Sequence, residues 1–300
     1  MKKMSLVLAA GALFAAAGSA VASHRVYGVT FDQRLVTFAP NAPGVFLTDT
    51  VITGLAPDET ILGIDARPRT GGLVIMTNGN RLMSVDAVTA AATAIGAGFA
   101  PALSGATEFG MDFNPTVDRI RVVDNLGGNR RLNPVTGGAV ATDTGLTSGG
   151  MSIGANGTAY RNWQFLLGVN APNFSVRQYV VIGSGTSFGL GEVGSMVGGN
   201  ASFNGGVVTA IGGGFAAPST DNIGFDIFGP LDEAYVSLTD TTSFASSFYG
   251  LDLGTGGLNN LGIVGSGSVR DSLIDFTVLP TPGAAGLLGL GGLLVARRRR

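Results

Sequence analysis

The side chains able to do chemistry in this 300-residue chain are unevenly supplied: twenty carboxylates, sixteen arginines and two lysines, but one histidine and no cysteine. Without a second histidine or any thiol, Ser-His-Asp and Cys-His arrangements, histidine-based zinc sites, disulfides and thiol redox chemistry are excluded. His24 falls at the expected mature N-terminus, where a mobile, exposed side chain is predicted. Carboxylate chemistry remains. A glycosidase needs only two carboxylates, yet spacing singles out no pair among the twenty.

Three aspartates recur in one sequence context: Asp65 in Leu62-Gly63-Ile64-Asp65, Asp112 in Phe109-Gly110-Met111-Asp112 and Asp226 in Ile223-Gly224-Phe225-Asp226. If equivalent positions converge on an axis, these carboxylates form a candidate site for Ca²⁺, which favours oxygen ligands; otherwise no cofactor is expected. The competing role, favoured by the polar residues that follow, is capping of the adjacent turn through backbone N–H groups. A second polar stretch runs from Asp118 to Arg131. Arg119 and Arg121, two apart on a strand, share a face and are candidate ligands for an acidic sugar or polymer, with cross-strand ion pairing as the alternative. Gly198-Gly199 and Gly212-Gly213-Gly214 lack the Lys-Ser/Thr of a phosphate loop and read as loops. Trp163 reads as core.

The elements that must position these residues are short strands. Val26 to Phe38 alternates around Asp32-Gln33-Arg34 as a hairpin. Leu73–Thr77, Arg81–Val85, Arg119–Val123, Val176–Ile182, Ala234–Leu238 and Phe248–Leu253 are β-branched or aromatic runs bounded by turn residues. The Gly-x-Asp segments recur with a spacing of 47 from Gly63 to Gly110, and the 114 positions to Gly224 leave room for two units. Asp86-Ala87-Val88-Thr89, Asn133-Pro134-Val135-Thr136-Gly137 and Asp252-Leu253-Gly254-Thr255-Gly256 follow as turns between outer strands. This period predicts an all-β fold, a β-propeller of about five blades of short antiparallel strands. A degenerate unit near Ser152-Ile153-Gly154 and a final strand from Ser272 to Val278 complete the count, the last strand sharing a blade with the N-terminal hairpin. A β-sandwich or β-helix is the competing architecture.

Both ends read as addresses. Lys2 and Lys3, an apolar run from Leu6 to about Ala17 and the exit Ala20-Val21-Ala22 predict a signal helix over 1–22, cleaved after Ala22 or Ser23; a buried N-terminal helix is the alternative. At the other end Pro280, Thr281 and Pro282 precede an apolar run from Gly283 to Ala296 and four arginines beginning at Arg297. About 14 apolar residues make roughly 21 Å of helix, short of a hydrocarbon core of about 30 Å. A transient sorting signal over 279–300 is therefore expected in preference to a permanent tail anchor. The domain between them, 23–278, retains twelve arginines and no lysine against twenty carboxylates, a net charge near −8. No basic patch is concentrated enough for nucleic acid.

The Pro motif, Gly/Leu/Ala-rich helix and arginine cluster resemble the PEP-CTERM sorting signal of Gram-negative, exopolysaccharide-producing bacteria, with Leu-Pro-Thr-Pro in place of the usual Val-Pro-Glu-Pro. The resemblance implies processing by an exosortase-type membrane protease, with Ala22, Pro280, Pro282 and Arg297 as processing residues, and transient membrane contact through the tail. Ala102 to Val123 with Arg131-Leu132-Asn133-Pro134, together with Leu62 to Pro68 and Asn222 to Asp226, resemble the bacterial family called domain of unknown function 4394, whose members are secreted and propeller-like and bring no established activity. Together these readings lead to the expectation of a secreted cell-surface or matrix propeller. It binds exopolysaccharide or another envelope protein without catalysis; a carboxylate-dependent glycan enzyme, with or without calcium, is the alternative.

Overall fold

The structure is a computed structural model that describes residues 24–281 except 104, 162–175, 185–186, 195–201, 218 and 230. The signal helix with Ala22, Trp163, Gly198-Gly199, Pro282 and the apolar tail with Arg297 lie outside the described residues. Among the described residues no helix is long and apolar enough to cross a membrane.

Five four-stranded antiparallel sheets make up the fold. Strands β1 (His24–Thr30), β2 (Arg34–Phe38) and β3 (Thr48–Val51) belong to the first blade. The second is β4 (Ile61–Arg67), β5 (Gly72–Thr77), β6 (Arg81–Val85) and β7 (Ala92–Ile95). The third is β8 (Phe109–Asn114), β9 (Arg119–Asp124), β10 (Asn129–Leu132) and β11 (Ala139–Thr142), followed by a two-residue hairpin, β12 (Thr147–Ser148) and β13 (Met151–Ser152). The fourth is β14 (Ala155–Tyr160), β15 (Gln178–Ser184), β16 (Ser187–Val193) and β17 (Val208–Ile211). The fifth is β18 (Ile223–Phe228), β19 (Glu233–Thr239), β20 (Ser246–Leu251) and β21 (Leu258–Ile263). Finally β22 (Leu273–Pro280) returns to pair with β1, in register from His24↔Pro280 to Val29↔Asp275, and becomes the innermost strand of the first blade. The inner strands β22, β4, β8, β14 and β18 touch one another in a closed ring. The architecture is a five-bladed propeller sealed by pairing its two ends, a closure that leaves no sheet edge open along the ring.

Blade faces explain why strands such as Leu73-Val74-Ile75-Met76 are apolar on both sides. Leu73 and Ile75 face the seam with the first blade, while Val74 and Met76 face the seam with the third. Each of the five seams carries its own apolar cluster, because alternate residues of a strand point to opposite faces of its sheet.

The Gly-x-Asp segments lie along the inner strands, not at the entrance to a turn, and the fourth repeat is Gly157-Thr158-Ala159 on β14, not the segment ending at Gly154. Gly157 stands 47 positions after Gly110, the same step as from Gly63 to Gly110. Gly154 is glycine for another reason: a Cβ there would stand 2.2 Å from the Asn125 carbonyl oxygen. The last strand also runs past Val278 to Pro280. As an inner edge strand β22 needs partners on one side only, which tolerates a proline at its end. His24 is likewise ordered rather than mobile. It opens β1, its side chain is 13 % exposed, its ring stacks on Phe228 at 4.4 Å, and its Nε2 lies 2.8 Å from the Tyr235 hydroxyl. Ring closure supplies that environment, which proximity to a chain end concealed.

Candidate functional site

The recurring aspartates do converge on the axis. Their work there is to join blades. Asp65 Oδ2 accepts the Phe113 N–H of the next inner strand at 2.6 Å, Asp112 Oδ2 the Tyr160 N–H at 2.5 Å, and Asp226 Oδ2 the Val278 N–H at 2.6 Å. They therefore cap neither the turns beside them nor a shared cage; each accepts a donor from the inner strand of the neighbouring blade. In the first blade Thr277 takes the aspartate's place, its hydroxyl 2.8 Å from Asp65 Oδ1 and 3.0 Å from Asp226 Oδ2. Asp275, two residues earlier at the glycine's place, accepts the Ile64 N–H at 3.1 Å. In the fourth blade the position is Ala159.

Burial pushes all four carboxyls above the usual carboxylate range. Asp226 rises to about 7, and Asp112 and Asp275 are held well above their ordinary value by desolvation reinforced by neighbouring carboxylates. The charge of Asp65 raises the cost of ionising Asp112, and Asp112 Oδ1 is buried with no hydrogen-bond partner among the described residues. Among the described residues no group of three or more acidic or histidine side chains is placed to hold a metal ion. One oxygen of each of the three carboxyls accepts a backbone N–H of the neighbouring blade, and Asp112 Oδ1 accepts none.

The arginine pair lies elsewhere, at the end of the propeller where the inner strands finish. Asn114 Oδ1 accepts the Thr116 N–H and starts the β8–β9 turn, which Asp118 completes with φ of 52°. Arg119 and Arg121 then leave β9 on one side and line a cavity of about 350 Å³ with Arg131, Tyr160, Phe203 and Asn204. Arg121 and Arg131 face each other across β9 and β10. Two guanidiniums directly opposite would repel. Asp143, after β11, neutralises one of them, its Oδ2 lying 2.5 Å from Arg121 Nη1 and 2.8 Å from Arg131 Nε.

Arg121 is buried and fully engaged. Beyond Asp143 it donates to Asn129 Oδ1 at 2.7 Å, Asn204 Oδ1 at 2.8 Å and the Tyr160 hydroxyl oxygen at 3.2 Å. Its part is to fix the cavity floor, where Phe203 meets Tyr160 edge to face at 5.4 Å. Asn204 is steadied by its own N–H to Ser202 Oγ and by its carbonyl accepting the Thr144 N–H. Arg119 donates to the Asp118 carbonyl at 2.8 Å and makes no salt bridge among the described residues. Three guanidiniums thus line the cavity, Arg121 and the partly exposed Arg131 on Asp143 and Arg119 without a carboxylate partner in a salt bridge. Of the two sequence readings of this pair, ion pairing holds for Arg121, while Arg119 lines the cavity without a salt bridge among the described residues. Asp143, Asn204 and Phe203 carried no sequence signal, since contacts across 22 to 83 positions have no local pattern.

Fold and site together define a five-bladed propeller with an arginine-lined cavity between its third and fourth blades. The family model for domain of unknown function 4394 matches residues 34–276, and the chain belongs to that family. No curated protein matches it. Among solved structures it is similar to the Dos1 propeller (12 % identity, TM-score 0.39, over 78 % of this chain and 56 % of that one). It is similar also to a chain of a nidogen/laminin complex (10 %, TM-score 0.43, over 85 % and 98 %) and to a protein from Lactobacillus plantarum (14 %, TM-score 0.38, over 85 % and 71 %). The chain thus spans little more than half the length of the Dos1 propeller chain.

Proposed function

We propose that the protein is an exported, non-catalytic binding propeller of the cell surface or extracellular matrix, and that the cavity at Arg119 and Arg131 takes the acidic groups of an exopolysaccharide. The observation that carries this reading is the excess of guanidinium over carboxylate in a preformed cavity with an aromatic floor. Arginine's planar fork matches a carboxylate or sulfate, and a ring beneath suits the apolar face of a sugar. A volume of about 350 Å³ suits one or two sugar units rather than a long occupant. Export rests on the signal helix over 1–22 and the sorting tail, which brings an exosortase-type protease and transient membrane contact as partners.

The test is calorimetric titration with an oligouronate and its neutral counterpart. The oligouronate binds in preference, salt weakens it, and Arg119→Ala lowers affinity about tenfold, the scale of one charged hydrogen bond, with an unchanged melting temperature. Equal binding of the neutral oligosaccharide, or an Arg119→Ala variant as tight as the parent, overturns the reading. Immunodetection of the protein in the envelope and medium fractions tests export; retention of an uncleaved form inside the cell overturns it.

A further inference from the structure

The chain leaves the ring at the end that carries the arginine cavity. Thr277 on β22 stands level with Asp65, Asp112 and Asp226, because each of these carboxyls reaches the neighbouring inner strand one residue beyond that level, at Phe113, Tyr160 and Val278. Pro280, which ends β22, is therefore about level with Asn114, where β8 gives way to the turn beside the cavity. His24, opening β1 opposite Pro280, fixes the same direction. Only Thr281 and Pro282 separate the end of β22 from the apolar run that begins at Gly283. Three Cα steps span at most about 11 Å. A bilayer that takes up the run is thus drawn close against this end of the ring.

The connections on this end suit such a surface. Strands alternate in direction within a blade, so the β2–β3, β6–β7, β8–β9 and β10–β11 connections all lie on the end where β22 finishes. They present Val45, Val88, Val117 and Val135, which are 63, 86, 53 and 65 % exposed. Val88 and Val135 sit on fixed turns, their N–H groups bound by Asp86 Oδ1 and Asn133 Oδ1. Two weakly paired guanidiniums share the end. Arg69 lies 3.7 Å from the Asp118 oxygen that Arg67 already holds, and Arg119 makes no salt bridge among the described residues. Guanidinium suits lipid phosphate, and exposed apolar tips suit the boundary between headgroup and acyl chain. Apolar exposure alone does not choose an end, since Phe31 and Phe244 are exposed on the other. That end, however, carries Asp32, Asp58, Asp240 and Asp271 in its connections, and the chain does not leave from it.

We propose that, while its apolar tail is held in a bilayer, the propeller lies with this end against the phospholipid headgroups, so that the arginine cavity is closed to polymer, and that release of the tail opens it. The inference rests on the reading of cavity and tail given above and adds the regulation of that cavity. An eight-residue inner strand such as β22 runs roughly 27 Å. A connection of about 11 Å cannot carry the run around the ring to the opposite end, so the cavity cannot turn outward while the run stays in the bilayer.

The experiment places residues 23–300, the expected mature chain with its tail, in nanodiscs of dilauroyl phosphatidylcholine, whose thin core suits a short run. A second chain carries a flexible spacer of about twenty Gly and Ser residues between Thr281 and Pro282, with a reach of about 25 Å. Because the protein has no cysteine, single fluorophores can be placed through Val88→Cys and Val135→Cys on the cavity end and through Leu126→Cys and Val269→Cys on the other. A quencher on the lipid headgroup dims the first two and spares the last two, and the spacer abolishes the difference. An oligouronate binds the chain without spacer at least about tenfold more weakly than the chain with it. Equal quenching at both ends, equal oligouronate affinity in the two chains, or failure of the chain to enter nanodiscs overturns the proposal. If neither chain binds oligouronate, the assignment of the cavity and its closure fall together, and the four probes alone decide the orientation.

Discussion

Asp112 is the side chain on which the inner ring turns. One oxygen takes the Tyr160 N–H; the other has no partner, in a residue 1 % exposed and close to the charges of Asp65 and Asp226. Asn at this position supplies the same acceptor to Tyr160 without a buried charge. Asp112→Asn is therefore expected to raise the melting temperature at pH 8 by roughly 2–6 °C, at a scale of about 2–4 °C per kcal/mol for a domain of this size. The gain is expected to shrink as pH falls and the parent's raised carboxyl takes up its proton. Equal shifts at pH 5 and 8, measured by circular dichroism melts, would show that Asp112 does not change its charge across that interval. Thr277→Val acts in the other direction. It removes the one hydroxyl that Asp65 Oδ1 and Asp226 Oδ2 share, and a loss of about 1–3 kcal/mol in urea unfolding is expected.

Among the elements, the inner strands carry the tightest packing. Gly110 is glycine because a Cβ there would come within 2.6 Å of the Gly157 backbone on the neighbouring blade. Backbone cannot swing aside as a side-chain tip can. Gly110→Ala is accordingly expected to destabilise by about 1–3 kcal/mol or more, whereas Gly213→Ala, with nothing within 4 Å and no left-handed backbone, is neutral. Comparable losses in the two variants would mean that the inner strands spread without cost. The outer turns, by contrast, are local devices. Asp86 Oδ1 accepts the Val88 and Thr89 N–H groups and Asp252 Oδ1 those of Gly254 and Thr255, so their meaning is contained in four consecutive residues. That is why these turns, together with strands such as Arg81–Val85, were legible from the chain itself. The two-residue hairpin at Thr147–Ser152 and the placement of the fourth repeat on Gly157 were not, since they depend on which backbone each glycine abuts.

For the whole molecule, the linked protons set the pH range of stability. Carboxyls lowered by partners, such as Glu59, held near 2 chiefly by its hydrogen bond to Arg81, contribute stability above their unfolded range that is lost as pH falls toward their folded value. The axial aspartates are raised, so their contribution is intact at low pH and is lost as pH rises from about 4 through the folded value, about 7 for Asp226. The stability maximum is therefore expected on the acidic side of neutrality, near pH 4 to 5, and melting temperatures should fall steadily from pH 5 to 8. A maximum at pH 8 would contradict the raised axial carboxyls.

The sequence by itself determined the repeating unit: a period of 47, strands of β-branched and aromatic residues, Asp- and Asn-led turns, and a Gly-x-Asp signature that marks the innermost strand. These are short-range properties, written in side-chain alternation and in hydrogen bonds that span two to four residues. Tertiary structure decided what the marked residues do. Only ring closure brings Asp226 to the Val278 N–H and places His24 on Phe228, and only the packing of the third blade against the fourth sets Asn204 beside Arg121. Spacing singled out the three aspartates; the neighbouring blade decided that each accepts one of its N–H groups. The cavity beside Arg119 and Arg131 gains its aromatic floor of Tyr160 and Phe203 only because the fourth blade packs against the third.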